Sequence, residues 1–387
     1  MPDYPEFEQS EFENRWERAR RGMAERGLDA LLVTSEGNYR YLSGHPTQVW
    51  FNKFRPNFMV LPRTGEPAIV AVASETSTAR NSSFIKDIRS FVAFVEPGVP
   101  ELAEVLKERG AAEGAIGCEF GTGQRMGMPL SDLQALERRL PKARFVDAGD
   151  LFWGLRLLKS PAEITYIRRA VEINNQAVAK GLLAVKEGWT ERELYRELAT
   201  NVLALGADRP GYIPVNADAR GPESLTGGPT DRRLQAGRMV YIDTGCTYRG
   251  YWADVARVFA VTRATDHQRK MYGVVHRAVE RSLRAIRPGA PVADIMRAAL
   301  AEFEAANVLR YTGRLGRIGH GAGLDLTEPP SIKLDDPAVI QPGMVLYVEP
   351  NFVTEEGHFI LEEDVVVTRD GAEVLSARAP ADLPIAS

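Results

Sequence analysis

Apolar residues recur along this chain with two different periods, and the places where the period changes divide it. From Glu8 to Arg26, Phe12, Trp16 and Met23 fall at helical spacing and Gly27 closes the segment, which predicts a helix. Short apolar runs then alternate with turns. Strands are predicted over Ala30 to Thr34, Asn57 to Pro62, Ala68 to Ala71, Ala115 to Cys118 and Phe145 to Asp147, with helices near Leu102 to Glu108 and Leu130 to Leu140. The alternation predicts an α/β domain over residues 1–155. It has no glycine-rich phosphate loop and no acid/base cluster, so it is expected to position or cover a site built elsewhere.

A second domain is predicted over residues 160–387. Ser160-Pro161-Ala162-Glu163 combines an N-cap serine, proline at the first helical position and glutamate three residues after the cap. Ile164, Ile167, Val171 and Val178 then line one helical face. Thr190 to Glu193 opens another helix with Leu194, Leu198 and Val202 on its core side. The plan recurs in Asp266 to Ile286 and Val292 to Asn307, and similar connectors, VKEGW and IRPGA, precede the second helix of each pair. Two copies of helix, helix, hairpin fit a pseudo-twofold domain with a site on its axis.

Each copy ends in a hairpin that carries two acids. Met239 to Ala260 reads as strand, turn and strand; a turn centred on Tyr248 and Arg249 sets Asp243 opposite Asp254, about 4.5–5.5 Å apart on one face. Ile340 to Asn351 (IQPGMVLYVEPN) mirrors Leu234 to Thr244 (LQAGRMVYIDT), with an acid six residues after the glycine in both. A turn through Thr354 to Gly357 then sets Glu362 opposite Glu349. Four carboxylates this close repel one another, and some must hold protons unless a cation neutralises them.

Composition narrows the class of partner. Hydrophobic content of 44%, charged content of 26% and a net charge of −4 give no basic surface for nucleic acid or membrane. Cys118 and Cys246 stand far apart with no CxxC spacing, which indicates neither a disulfide framework nor a thiolate zinc site. The polar N-terminus is not a signal peptide, and no apolar run reaches 18 residues. A cytoplasmic protein acting on small molecules is expected.

Between the hairpins, His320 stands in GHGAGLD, where flanking glycines allow close backbone approach. Four carboxylates and one imidazole make a hard, oxygen-rich site suited to Mn²⁺ or another divalent cation. Two dications balance four negative charges and would acidify a water between them, which is hydrolytic chemistry.

The segments YIDTG, ADVAR, GHGAGLD, YVEP and LEEDVVVT resemble the five-ligand signature of the pita-bread metallopeptidases, the family of methionine aminopeptidase, prolidase and Xaa-Pro aminopeptidase. LRLLKSPAEITYIRRA and GPTDRRLQAG are similar to the creatinase/prolidase branch, whose members carry an extra N-terminal domain. The resemblance implies an α/β N-terminal domain followed by an α+β pita-bread catalytic domain. It also implies two divalent metal ions, Mn with Co or Zn as alternatives, on Asp243, Asp254, His320, Glu349 and Glu362. Asp254 and Glu362 would bridge, and Glu349 would also shuttle the proton. The spacing to Thr368 selects Glu362 over Glu363. A homodimer that cleaves Xaa-Pro dipeptides or N-terminal Xaa-Pro bonds is implied.

Three positions depart from that branch: Thr226 and Thr327 stand where histidines are usual, and Ile360 where arginine is usual. They replace groups that hold a peptide carbonyl and carboxylate. His358 offers a replacement imidazole or is a surface residue at a turn edge. His45 could reach the site from the N-terminal domain of its own chain or a partner's. The departures keep open a non-peptide small substrate, as in relatives that open the ectoine ring or act as dimethylsulfoniopropionate lyases. A binding module without activity is the third reading.

Overall fold

The structure is a computed structural model and describes residues 1–217, 226–312 and 316–386. Packing divides the chain into two units, Met1–Arg156 and Leu157–Ser387.

In the first unit, α1 (Gln9–Arg26) buries Phe12, Trp16, Ala19 and Met23 on one face. There follow β1 (Ala30–Val33), α2 (Glu36–Ser43), β2 (Phe58–Pro62), β3 (Ala68–Val72), α3 (Thr76–Ser82), β4 (Asp87–Phe91), α4 (Val99–Glu108), β5 (Ala115–Cys118), α5 (Leu130–Arg139), β6 (Arg144–Asp147) and α6 (Gly149–Leu157). The strands form one mixed sheet in the order β4-β3-β2-β1-β5-β6. Its central strands are buried on both faces. That is why they read as continuous apolar runs rather than alternating ones. The polar β4 and the short α2 and α3 carry no such signal, and sequence reading passed over them.

The second unit opens with α7 (Pro161–Ala184), whose start is a complete capping box: Glu163 N–H donates to Ser160 Oγ at 3.3 Å, and Ser160 N–H to Glu163 Oε2 at 2.9 Å. After α8 (Glu191–Ala204) and the short β7 (Arg209–Pro210) and β8 (Val215–Asn216) come β9 (Met239–Tyr248) and β10 (Tyr251–Val261). Helices α9 (Asp266–Ala285) and α10 (Ala293–Ala305) repeat the helical pair. The remaining strands are β11 (Gly319–Gly321), β12 (Glu328–Ser331), β13 (Val345–Val348), β14 (Asn351–Thr354), β15 (Gly357–Ile360), β16 (Glu363–Val367), β17 (Ala372–Val374) and β18 (Ile385–Ala386). One sheet runs β18-β10-β9-β7, with β8 also on β9; another runs β12-β11-β13-β16-β17.

The β9/β10 hairpin is buried on both faces. Val240, Ile242, Phe259 and Val261 join Leu194 and Leu198 of α8. On the other face Met239, Tyr241, Ala256 and Val258 join residues of α9, α10 and β13. The acids lie on this second face, toward the second hairpin.

The register of β9/β10 corrects the expected turn. Tyr248 pairs with Tyr251, so the loop is Arg249-Gly250, and Asp243 pairs with Ala256 while Asp254 pairs with Gly245. Arg249 and Gly250 both have positive φ, 51° and 78°, the two-residue turn whose twist matches the flanking strands. The slip is two residues, so both aspartates keep their face and become diagonal neighbours. In the second hairpin Val348 pairs with Glu363 and Asn351 with Ile360, and that constant register sets Glu349 opposite Glu362.

Lys159, just before α7, is buried, and its Nζ lies 3.0 Å from Glu328 Oε2 on β12. Lys159→Met removes the cation from an interior carboxylate and is expected to destabilise this unit by about 3–5 kcal/mol in denaturant titration, with Glu328→Gln restoring part of the loss. A loss below about 1 kcal/mol would mean that the pair has only the strength of a surface bridge.

Candidate metal centre

Glycines fix the histidine. A Cβ on Gly319 would lie 2.1 Å from Tyr347 O, and one on Gly321 would lie 2.3 Å from Pro329 O, so β11 fits between β12 and β13 only with glycine on either side of His320. His320 Nδ1 lies 2.9 Å from Gly321 O. A carbonyl only accepts, so Nδ1 carries the proton and Nε2 presents its lone pair, 3.8 Å from Glu349 Oε1. Burial pushes this histidine down to about 4, so the ring is neutral at pH 7.

Ligand-type atoms of Asp254, His320 and Glu362 all lie within 4.8 Å of one another. Asp243 and Asp254 are both buried, and burial raises both carboxyls above their ordinary range. Asp243 Oδ2 accepts from Tyr241 Oη at 2.7 Å. The first hairpin holds the second in place: Ala256 N–H donates to Glu362 Oε2 at 3.0 Å, and Glu362 N–H to Ala256 O at 3.1 Å. Asp243, Asp254, His320 and Glu349 line one cavity of about 270 Å³.

Burial is the main cause of the raised carboxyl pKa values here, and like charge adds to it. Asp254 and Glu362 stand well above the ordinary range, and Glu349 is pushed up to about 8 by burial with the Asp243 charge adding. Asp243 Oδ1, Asp254 Oδ1 and Glu362 Oε1 are buried with no hydrogen-bond donor. Acceptors left without donors and a lone pair facing a carboxylate are what divalent cations would satisfy, so the donor set fits them. Glu363 is different. It takes hydrogen bonds from Ser376 Oγ and Ala379 N–H and pairs with Arg257, so its oxygens are already engaged.

Of the substrate-side candidates, Thr226, Thr327, Ile360 and His358 line the cavity. His45 does not. It is fully buried in the N-terminal unit, with Nδ1 2.8 Å from Tyr39 Oη and Nε2 3.7 Å from Glu75 Oε2. His358 is no surface residue: it is 1% exposed and packs on the Tyr241 ring. Asn351 Nδ2 donates to Glu349 O, which leaves Asn351 Oδ1 to accept a long contact of 3.4 Å from His358 Nε2. His358 Nδ1 then remains a buried acceptor with no donor. Sequence reading missed Tyr212, Tyr241 and Arg317, which also line the cavity. Strand alternation could have found Tyr241, two residues before Asp243; Arg317 lies in coil, where no period reports a side chain's direction.

No helix among the described residues is long and apolar enough to cross a membrane. Residues 15–158 match the creatinase/prolidase N-terminal domain, and residues 165–369, more than half of the chain, match metallopeptidase family M24. The Xaa-Pro dipeptidase of Pyrococcus horikoshii is 24% identical over 92% of this chain and 94% of its own length. The structure of an Xaa-Pro dipeptidase from Bacillus anthracis superposes with a TM-score of 0.85 at 25% identity, covering 97% of this chain and 99% of that one. The N-terminal domain of FACT complex subunit SPT16 from chickpea superposes at 0.79 with 17% identity, covering 98% of this chain and 100% of that one, a likeness of fold alone. With both of its units matched, in order, the chain belongs to metallopeptidase family M24.

Proposed function

We propose that Asp243, Asp254, His320, Glu349 and Glu362 hold two divalent cations, Mn²⁺ with Co²⁺ or Zn²⁺ as alternatives, and that the site hydrolyses an amide bond in short peptides with Xaa-Pro specificity. The observation that carries this reading is the buried group of carboxylates with three oxygens left without donors, gathered about a neutral imidazole at one small cavity that Asp243 and Asp254 line and Glu362 adjoins through Asp254 and His320. Divalent cations bound there polarise a carbonyl and acidify water.

The chain's own residues do the rest. His320 is held in one tautomer by Gly321 O, and Tyr241 orients Asp243. Glu349, in the same cavity as His320 and the aspartates, would take a proton at a carboxylate oxygen and pass it to the leaving nitrogen. The cavity size suits a dipeptide better than a long chain. A cytoplasmic homodimer is part of this proposal. A second reading, a non-peptide small substrate, is favoured by Thr226, Thr327 and Ile360, which line the same cavity without an imidazole or guanidinium.

Chelator-stripped protein reloaded with Mn²⁺ is expected to cleave Ala-Pro and Gly-Pro in preference to Ala-Ala, with Asp254→Ala and Glu362→Ala inactive. Stoichiometric metal binding without cleavage of any peptide would favour the second reading. Tyr241→Phe is expected to lower metal affinity or activity by about 10–100-fold, measured by metal titration and turnover.

Stripped protein also has a signed pH dependence. A carboxyl whose folded pKa is raised contributes stability fully below its unfolded pKa, near 4.5, and loses it as pH rises through the folded value, about 8 for Glu349. The Tm of stripped protein is therefore expected to be lower at about pH 8 than at about pH 5, with cation restoring it and Glu362→Gln flattening the slope. A level profile in stripped wild-type protein would show that the acids ionise freely without metal.

A further inference from the structure

Arg317 is the one cation among the described residues that lines the cavity. Its charge pulls down both His320 and Glu349, which places the guanidinium beside the carboxylate cluster. Yet among the described residues no carboxylate comes within ion-pairing distance of it and no hydrogen bond engages it, so it is not the counter-ion of Glu349. The backbone that follows it is fixed on two sides: Ile318 N–H donates to Ile332 O, and Ile318 O accepts from Glu349 N–H, both at 2.9 Å. The guanidinium is half-buried, and among the described residues none of its five donors is engaged. Two dications would neutralise the four acids, leaving this positive charge uncompensated.

We propose that Arg317 reads the substrate, and that the substrate carries a free carboxylate which the guanidinium holds by two parallel hydrogen bonds. The cation comes from the segment before β11, because β15 brings His358, neutral at pH 7, and Ile360 to the cavity wall and neither carries a guanidinium. The inference rests on the proposed metal site for its location but not on which bond is cut. A dipeptide and a small non-peptide acid both present the group, whereas the N-terminus of a long peptide does not.

The test uses the full Mn²⁺-loaded chain with Arg317→Met and Arg317→Lys. Wild type is expected to favour Ala-Pro over Ala-prolinamide, and Arg317→Met to raise KM for Ala-Pro by roughly 10–100-fold, more than it lowers kcat, so that the preference for acid over amide falls toward one. Arg317→Lys keeps the charge without the fork and is expected to lie between. Calorimetric binding of L-proline and N-acetylglycine, compared with their amides, is expected to weaken in parallel while metal content holds.

Equal handling of acid and amide by wild type would overturn the proposal, as would an equal effect of Arg317→Met on both. Loss of metal in Arg317→Lys would assign the residue to the metal centre instead. Should wild type cleave no peptide, the peptidase reading fails and calorimetry decides alone. Carboxylate binding lost in Arg317→Met then supports a small acid as substrate, and no carboxylate binding at all overturns the inference.

Discussion

Placing Asp243, Asp254, Glu349 and Glu362 together away from water is the constraint on which the rest of this domain depends. Each loses hydration, and Asp254, Glu349 and Glu362 also feel the charge of neighbouring acids, so all four stand above their ordinary pKa. Such a cluster cannot be an incidental product of packing, because burying unpaired like charges costs several kcal/mol per group. The two hairpins must therefore be held against their own acids. The reciprocal bonds between Ala256 and Glu362, the apolar faces packed on α8, α9 and α10, and the Lys159–Glu328 pair all supply that restraint. Divalent cations bound among these acids would turn the repulsion into attraction, so metal and fold are expected to stabilise each other.

The same cluster explains why neutral side chains surround it. Tyr241 donates to Asp243, His320 donates to Gly321 O, and both rings stay uncharged because burial disfavours their ions. A charged imidazole in this interior would pair with an acid and compete with metal. The cavity wall is equally free of charge at Thr226, Thr327 and Ile360, which leaves Arg317 as the one cation lining the cavity among the described residues. The proposed metal-binding and substrate-reading residues therefore sit on different segments, so one set could change while the other stays.

Much of the catalytic unit was legible in the chain. The capping box at Ser160, the repeated Gln-x-Gly turn and the acid six residues beyond it are local signals, and the structure places helices and strands where they fall. The turn of the first hairpin was misplaced because Tyr248-Arg249 and Arg249-Gly250 both sit among polar residues. The positive φ at both Arg249 and Gly250 settled the register. The error did not cost the face, since a slip of two residues preserves strand alternation. In the N-terminal unit β4, α2 and α3 went unread because their apolar faces are short or absent.

The sequence by itself determined two α/β-containing units, the repeated helix-helix-hairpin order and the five residues that converge, because strand period and glycine placement are local properties of the backbone. Only the tertiary structure decided how exposed each histidine is: His358 faces the cavity while His45 is enclosed in the other unit. It alone engaged Glu363 with Arg257 and Ser376 and left Glu362 with a bare oxygen. It alone brought Arg317 into the cavity that Asp243, Asp254, His320 and Glu349 line. Burial and direction depend on what packs opposite a side chain, and that partner is fixed by contacts between residues a hundred positions apart, which no periodicity in the chain records.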